Sequence, residues 1–214
     1  MGLAFMHGFL LALALILPLG PQNSFVISQG ATYRRYRHAS PVVITAAVSD
    51  TTLIILAVLG VSVIVTALPL LKDILMALGA AFLLWMGWQS WHSPIDKVGS
   101  EDETMAYWTL KRRIMHSLRA SLLNPHAIMD TVVVIGGGAA LYPSLPEKMA
   151  YGSGAILVSW LWFLLISLAG RKLGRLRDQS RTLAWINRVS AAIMWSMAGN
   201  YLIQLSQSVS NLQF

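Results

Sequence analysis

The chain has 214 residues, of which 56% are hydrophobic and only 12% are charged. Soluble domains carry about 25% charged residues, so the deficit marks an integral membrane protein rather than a soluble enzyme. Cysteine is absent, which excludes disulfides and thiolate-bound metal, and the net charge of +7 does not indicate nucleic acid, because the basic residues are segregated between particular connections.

Apolar runs long enough to cross about 30 Å of hydrocarbon, about 20 residues each, recur six times, over roughly 4–27, 41–66, 69–91, 118–141, 150–170 and 185–206. The first begins the chain, and Ala12-Leu13-Ala14 imitates a signal-peptide cleavage site. No Lys or Arg precedes the apolar run, so the basic region of a signal is missing and a retained helix is expected. This helix meets Pro18, Gly20 and Pro21, followed by Gln22 and Asn23. A proline removes a backbone donor and clashes with the carbonyl four residues back, so the helix is expected to kink or unwind there. The second run carries Asp50, and the third starts beside Lys72 and Asp73. A polar connection, 92–117, holds Glu101-Asp102-Glu103 and Lys111-Arg112-Arg113. The fourth run contains Asn124-Pro125-His126, Asp130 and Gly136-Gly137-Gly138. Pro125 predicts a second break, and the residue before a proline is pushed out of helical geometry. The glycines allow close packing or a hinge. They are no phosphate loop, because no Lys-Ser/Thr follows. The tryptophans suit interface anchoring or helix packing.

Fourteen of the sixteen Lys and Arg residues fall in the first, third and fifth connections or their flanks, leaving Lys72 and Lys148 for the second and fourth. Cationic loops stay cytoplasmic, which predicts both termini outside and assigns the arginine clusters to topology and anionic-lipid contact. The expected fold is an all-α integral membrane protein with six transmembrane helices. Three helices per half make two inverted three-helix repeats, about 1–91 and about 118–214, in one domain spanning 1–214. Weak internal similarity agrees: Gly20-Pro21-Gln22-Asn23 pairs with Asn124-Pro125-His126-Ala127, and Ala80-Ala81-Phe82-Leu83-Leu84-Trp85 with Ala191-Ala192-Ile193-Met194-Trp195, about 104–111 residues apart.

An Asp at the centre of a membrane helix costs about 2.5–3.5 kcal/mol even on the lenient insertion scale. Asp50 and Asp130 both incur that cost, which points to a cationic ligand. At 1.5 Å per residue both lie roughly 14–18 Å deep, near the bilayer middle. Paired broken helices point to a midplane site, so the substrate-binding or coupling candidates are Asp50, Asp130, Gln22, Asn23, Asn124 and His126. The breaks themselves lie at Pro18, Gly20, Pro21 and Pro125. The competing structural reading satisfies each aspartate with a neighbour from Ser49, Thr51, Thr52, His126 or Thr131, and each break with a local side chain. A carboxylate that trades a proton for a cationic substrate is a natural coupling device. His7, His38, His92 and His116 show no ligand spacing, so no metal or other cofactor is expected. A membrane aspartyl protease would need Gly-x-Gly-Asp, whereas Asp50 follows Val48-Ser49 and Asp130 follows Ile128-Met129. A membrane scaffold without transport would tolerate Asn at both positions.

Leu17-Pro18-Leu19-Gly20-Pro21-Gln22-Asn23, Ser49-Asp50 and Leu123-Asn124-Pro125-His126 with Asp130-Thr131 together resemble the LysE-type exporter family, and within it the arginine exporter branch. The resemblance spans nearly the whole chain. It implies secondary active export of basic amino acids, arginine and lysine, across the bacterial inner membrane, with Asp50 and Asp130 as substrate or proton sites. The homoserine/threonine exporter branch shares the early proline motif but typically lacks the acid five residues after the second proline, here Asp130. Export of neutral amino acids on the same fold is the alternative. No nucleotide-binding motif is present, so inward protons are the expected energy source. The sequence is also compatible with a homo-oligomer.

Overall fold

The computed structural model describes residues 1–18, 21–33, 36–67, 69–92, 107–173 and 179–211. In chain order these form α1 (Gly2–Ile16), α2 (Pro21–Thr32), α3 (Tyr36–Ala67), α4 (Pro69–His92), α5 (Leu110–Leu122), α6 (Pro125–Met129), a π-helical segment (Asp130–Ile135), α7 (Gly136–Ala139), α8 (Leu145–Leu173) and α9 (Gln179–Asn211).

The first expected span is two helices, α1 and α2, parted around Leu17 and Pro18. Pro21 opens α2, where its missing N–H would have had no intrahelical partner. The second expected span lies within α3, which starts earlier, at Tyr36, and tolerates Pro41 near its start. Pro41 has no N–H for the carbonyl of Arg37, and the Ser40 hydroxyl donates to that carbonyl at 3.2 Å instead.

The expected fourth span, 118–141, is broken where Pro125 predicts, and α5 extends back into the polar connection 92–117. Thr109 caps α5, its hydroxyl accepting from the Arg112 N–H at 3.3 Å. Leu123 and Asn124 interrupt the helix, and the apolar part restarts at Pro125. The physical reason is the face pattern of α5. Arg113, Ser117 and Ser121 are buried at a four-residue spacing, while Lys111, Arg112 and Arg119 are exposed. The buried face packs on α3 and α2, as an amphipathic helix does.

Among the described residues three helical stretches are long and apolar enough to cross a membrane: Tyr36–Gly60, Asp73–His92 and Leu145–Arg171. Gly2–Ile16 and Ala127–Ala139 are shorter apolar helices. The expected sixth span, 185–206, lies inside α9, which is not among the long apolar stretches. Its sequence includes Asn187, Arg188, Asn200 and Gln204.

Helices α1, α2 and α3 pack on α8, α4 packs on α9, and the π segment packs on α3 and α4. Glycines let backbones meet at these crossings. A Cβ on Gly8 would strike the Tyr151 carbonyl, and one on Gly154 the Phe5 carbonyl. Gly30 and Gly170 stand in the same relation to Ser167 and Ile27. Small residues at helix interfaces are the usual means of close approach in lipid, where no hydrophobic effect drives helices together. Two apolar clusters result. One gathers Leu11, Ile54, Val58, Leu83, Val158 and Met194. The other gathers Phe25, Val42, Ala47, Phe163 and Ile166. Asp50 on α3 falls in sequence between Ala47 and Ile54, and Ser159 on α8 between Val158 and Phe163, at the seam between the clusters.

Candidate functional site

The break in the first helix leaves carbonyls without amide partners, and Asn23 supplies them. Its amide nitrogen donates to the Ile16 carbonyl at 2.6 Å and to the Pro18 carbonyl at 2.9 Å. Its own carbonyl accepts from the Trp162 indole N–H at 3.3 Å. Asn23 is thereby committed to holding the break. Gln22, one residue earlier, reaches across instead and donates to Asp50 Oδ1 at 3.4 Å.

Asp50 uses both oxygens. Besides Gln22, the Ser159 hydroxyl donates to Oδ2 at 2.8 Å. Beside it the Trp160 indole N–H donates to the Thr51 hydroxyl at 3.0 Å. Both pairs are 109 residues apart. The threonines near Asp50 do not satisfy it. Thr51 donates to the Ala47 carbonyl at 2.7 Å and Thr52 to the Val48 carbonyl at 2.9 Å.

Asp130 opens the π segment. Its side chain is within electrostatic reach of Asp50, so the structure brings the two acids into one region. Unlike Asp50, Asp130 keeps Oδ1 buried with no hydrogen-bond partner among the described residues. Thr131 does not serve it, since its hydroxyl donates to the Ala127 carbonyl at 2.8 Å. Asn124 lies in the gap between α5 and α6, partly buried, and its carbonyl accepts from the Ile128 N–H at 3.1 Å. Gly20 lies outside the described residues, as do the side chains of Pro21, Pro125 and His126.

Ser159 of α8, which nothing in the sequence analysis singles out, and Trp160 and Trp162, expected in interface anchoring or helix packing, are neighbours of the site. The signal was present: a serine inside an apolar run, 109 residues after Asp50, falls within the repeat spacing of about 104–111. Arg113 also differs from expectation. Rather than meeting lipid, it is buried and ties α5 to α2 and α3. Its guanidinium donates to Gln29 Oε1 at 3.3 Å and to the His38 carbonyl at 2.8 Å, and lies 4.3 Å over the Tyr33 ring. His116 on the same helix sits 4.3 Å from the Phe25 ring. Burial first, then the charges of Arg119 and Arg112, lower its pKa from 6.5 and keep it neutral at neutral pH.

Among the described residues no three His, Asp or Glu side chains form a group that could hold a metal ion. Two carboxyl groups in one buried region, one held by two donors and one with an oxygen unpartnered among the described residues, can exchange protons for a cation.

The LysE type translocator family matches residues 13–205. The chain is 44% identical over 202 residues to YisU of Bacillus subtilis (strain 168), whose name provisionally describes an amino-acid transporter, covering 94% of this chain and 90% of that one. It is 34% identical over 213 residues to the arginine exporter protein ArgO of Yersinia enterocolitica serotype O:8 / biotype 1B, covering 97% of this chain and 98% of that one. For the arginine exporter protein ArgO of Serratia proteamaculans (strain 568) the identity is 34% over 199 residues, covering 91% and 93%. No solved structure matches. With a family match over most of its length and relatives aligned along nearly all of it, the protein belongs to the LysE type translocator family and is a multi-pass membrane transporter of amino acids rather than an enzyme.

Proposed function

We propose that this protein exports arginine, and lysine with it, from the bacterial cytoplasm across the inner membrane in exchange for inward protons. The transport unit is the six-span arrangement of two inverted three-helix repeats with both termini outside, and Asp50 with Asp130 forms its substrate and proton site. The observation that carries the reading is the buried, unpartnered Oδ1 of Asp130 within reach of Asp50. A guanidinium offers five N–H donors in a planar fork and pairs naturally with a carboxylate. A neutral side chain brings no charge to pair with an ionised carboxylate in this buried seam, and an unpaired buried charge is costly. The relatives named arginine exporters favour the same cargo. The packing of α3 on α8 and of α4 on α9 is what two inverted repeats sharing one core would produce.

The test is efflux of labelled arginine from loaded cells carrying wild type, Asp50→Asn or Asp130→Asn at equal membrane levels. One lost charge-assisted hydrogen bond is worth about 1.5–3 kcal/mol, so each variant is expected to lose roughly 10- to 100-fold. Lysine, but not threonine, is expected to compete. Competition by threonine without lysine would mean a neutral cargo, and undiminished efflux by both variants would make the acids structural.

A further inference from the structure

The π segment that carries Asp130 is held from a distance by Tyr201 on α9. The Tyr201 hydroxyl donates to the Val134 carbonyl, within the segment, at 2.8 Å. Tyr201 is fully buried, and the fold makes room for it on two sides. On α4, a Cβ at Gly79 would lie 3.0 Å from the Tyr201 ring. On α7, a Cβ at Gly138 would fall on the Tyr201 hydroxyl and on that of Tyr151, another fully buried tyrosine. The other end of the segment is fastened by the Thr131 hydroxyl on the Ala127 carbonyl. Asp130 opens the segment, next to Thr131 and one turn before Val134, with Oδ1 unpartnered among the described residues.

A π turn is a rare departure from α-helical register and recurs at functional sites. Its i→i+5 bonding rotates the side chains around it relative to an uninterrupted α-helix, so the register decides where Asp130 points. We infer that Tyr201 is a positioning residue for transport: its hydroxyl latches the π turn and so aims Asp130 at the substrate site. The inference rests on the proposed role of Asp130. Tyr201 touches neither cargo nor proton. It acts through the Val134 carbonyl, and Gly79 and Gly138 are glycines because the latch needs their space.

The natural absence of cysteine allows the aim of residue 130 to be read directly. In the full-length protein in membranes, the reaction rate of Asp130→Cys with N-ethylmaleimide is measured with and without Tyr201→Phe. Ser153→Cys on α8, an exposed position, is the control. A several-fold change at position 130 with none at 153 is expected. In parallel, Tyr201→Phe with Asp130 intact is expected to raise the half-saturating arginine concentration for efflux by up to roughly ten-fold, the size of one lost hydrogen bond, with the maximal rate little altered. Gly138→Ala keeps the hydroxyl but crowds it, and is expected to move both readouts the same way. If Tyr201→Phe fails to accumulate in the membrane, Gly138→Ala is judged by the same two measurements. A labelling rate at 130 that ignores these substitutions, or unchanged half-saturation, overturns the latch. Normal efflux by Asp130→Asn would instead overturn the role of Asp130, and the labelling rates would still judge the latch.

Discussion

Asp50 and Asp130 are chemically alike but differently held, and the difference lies in single hydrogen bonds. Asp50 is gripped by the Ser159 hydroxyl at 2.8 Å and by Gln22 at the longer distance of 3.4 Å. Ser159→Ala leaves only the weaker donor, so the carboxylate can swing within the seam. Hydrogen bonds to charged groups contribute about 1.5–3 kcal/mol, and in the proposed site part of that orients Asp50. The expected result is a half-saturating arginine concentration raised roughly ten-fold, restored by Ser159→Thr, which keeps the hydroxyl. Concentration-dependent efflux from cells with matched membrane levels checks it. Both aspartates were legible in the sequence, because an acid in an apolar run stands out on composition alone. Ser159 was not, because a serine costs little in a membrane helix and so leaves no energetic anomaly to notice. Asn23 was legible as a polar residue beside a break, but its use was not. Only the geometry shows its amide spent on the Ile16 and Pro18 carbonyls.

Helices carry the second layer of information. The prolines announce both breaks in the sequence, and Asn124 stands outside the helices, as the residue before a proline favours. The amphipathic α5 was hidden because its charge content reads as a loop. Its four-residue spacing of Arg113, Ser117 and Ser121 becomes meaningful only once α2 and α3 are seen to face it. Where helices cross, the glycines are decisive. Gly8 of α1 meets the Tyr151 backbone of α8, and Gly154 of α8 meets the Phe5 backbone of α1. Gly8→Ala forces these backbones apart, and overpacking of this kind typically costs about 1–3 kcal/mol. Gly60→Ala on α3 meets nothing within 4 Å and removes a flexible residue from a helix, a change worth about 0.5–1 kcal/mol in favour of the fold. Heating detergent-extracted protein is expected to precipitate Gly8→Ala at a lower temperature than wild type, and Gly60→Ala at the same or a higher one. Equal behaviour of the two variants would contradict the α1–α8 contact.

At the scale of the whole molecule, charge segregation and helix number point to a transporter, and the energy source follows from what the cargo must overcome. Moving one positive charge outward costs about 2.3 kcal/mol per 100 mV of inside-negative potential, so arginine left to equilibrate would accumulate inside. A carrier whose site is two acids within electrostatic reach has a way around this. In the proposed exchange a proton neutralises the site on the return journey, and arginine displaces it on the outward one. When one proton enters for each arginine that leaves, no net charge crosses, and the potential neither opposes nor assists. Arginine-loaded vesicles containing the protein, with its cytoplasmic face inward, are therefore expected to release arginine faster when the outside is made acidic. At a fixed pH difference they are expected to respond little to a potential imposed with potassium and valinomycin. Acceleration by an inside-negative potential would mean more than one proton per arginine. Release indifferent to both gradients would leave the acids without a coupling role, because a site that titrates in the cycle must feel the proton concentration on the side it opens to.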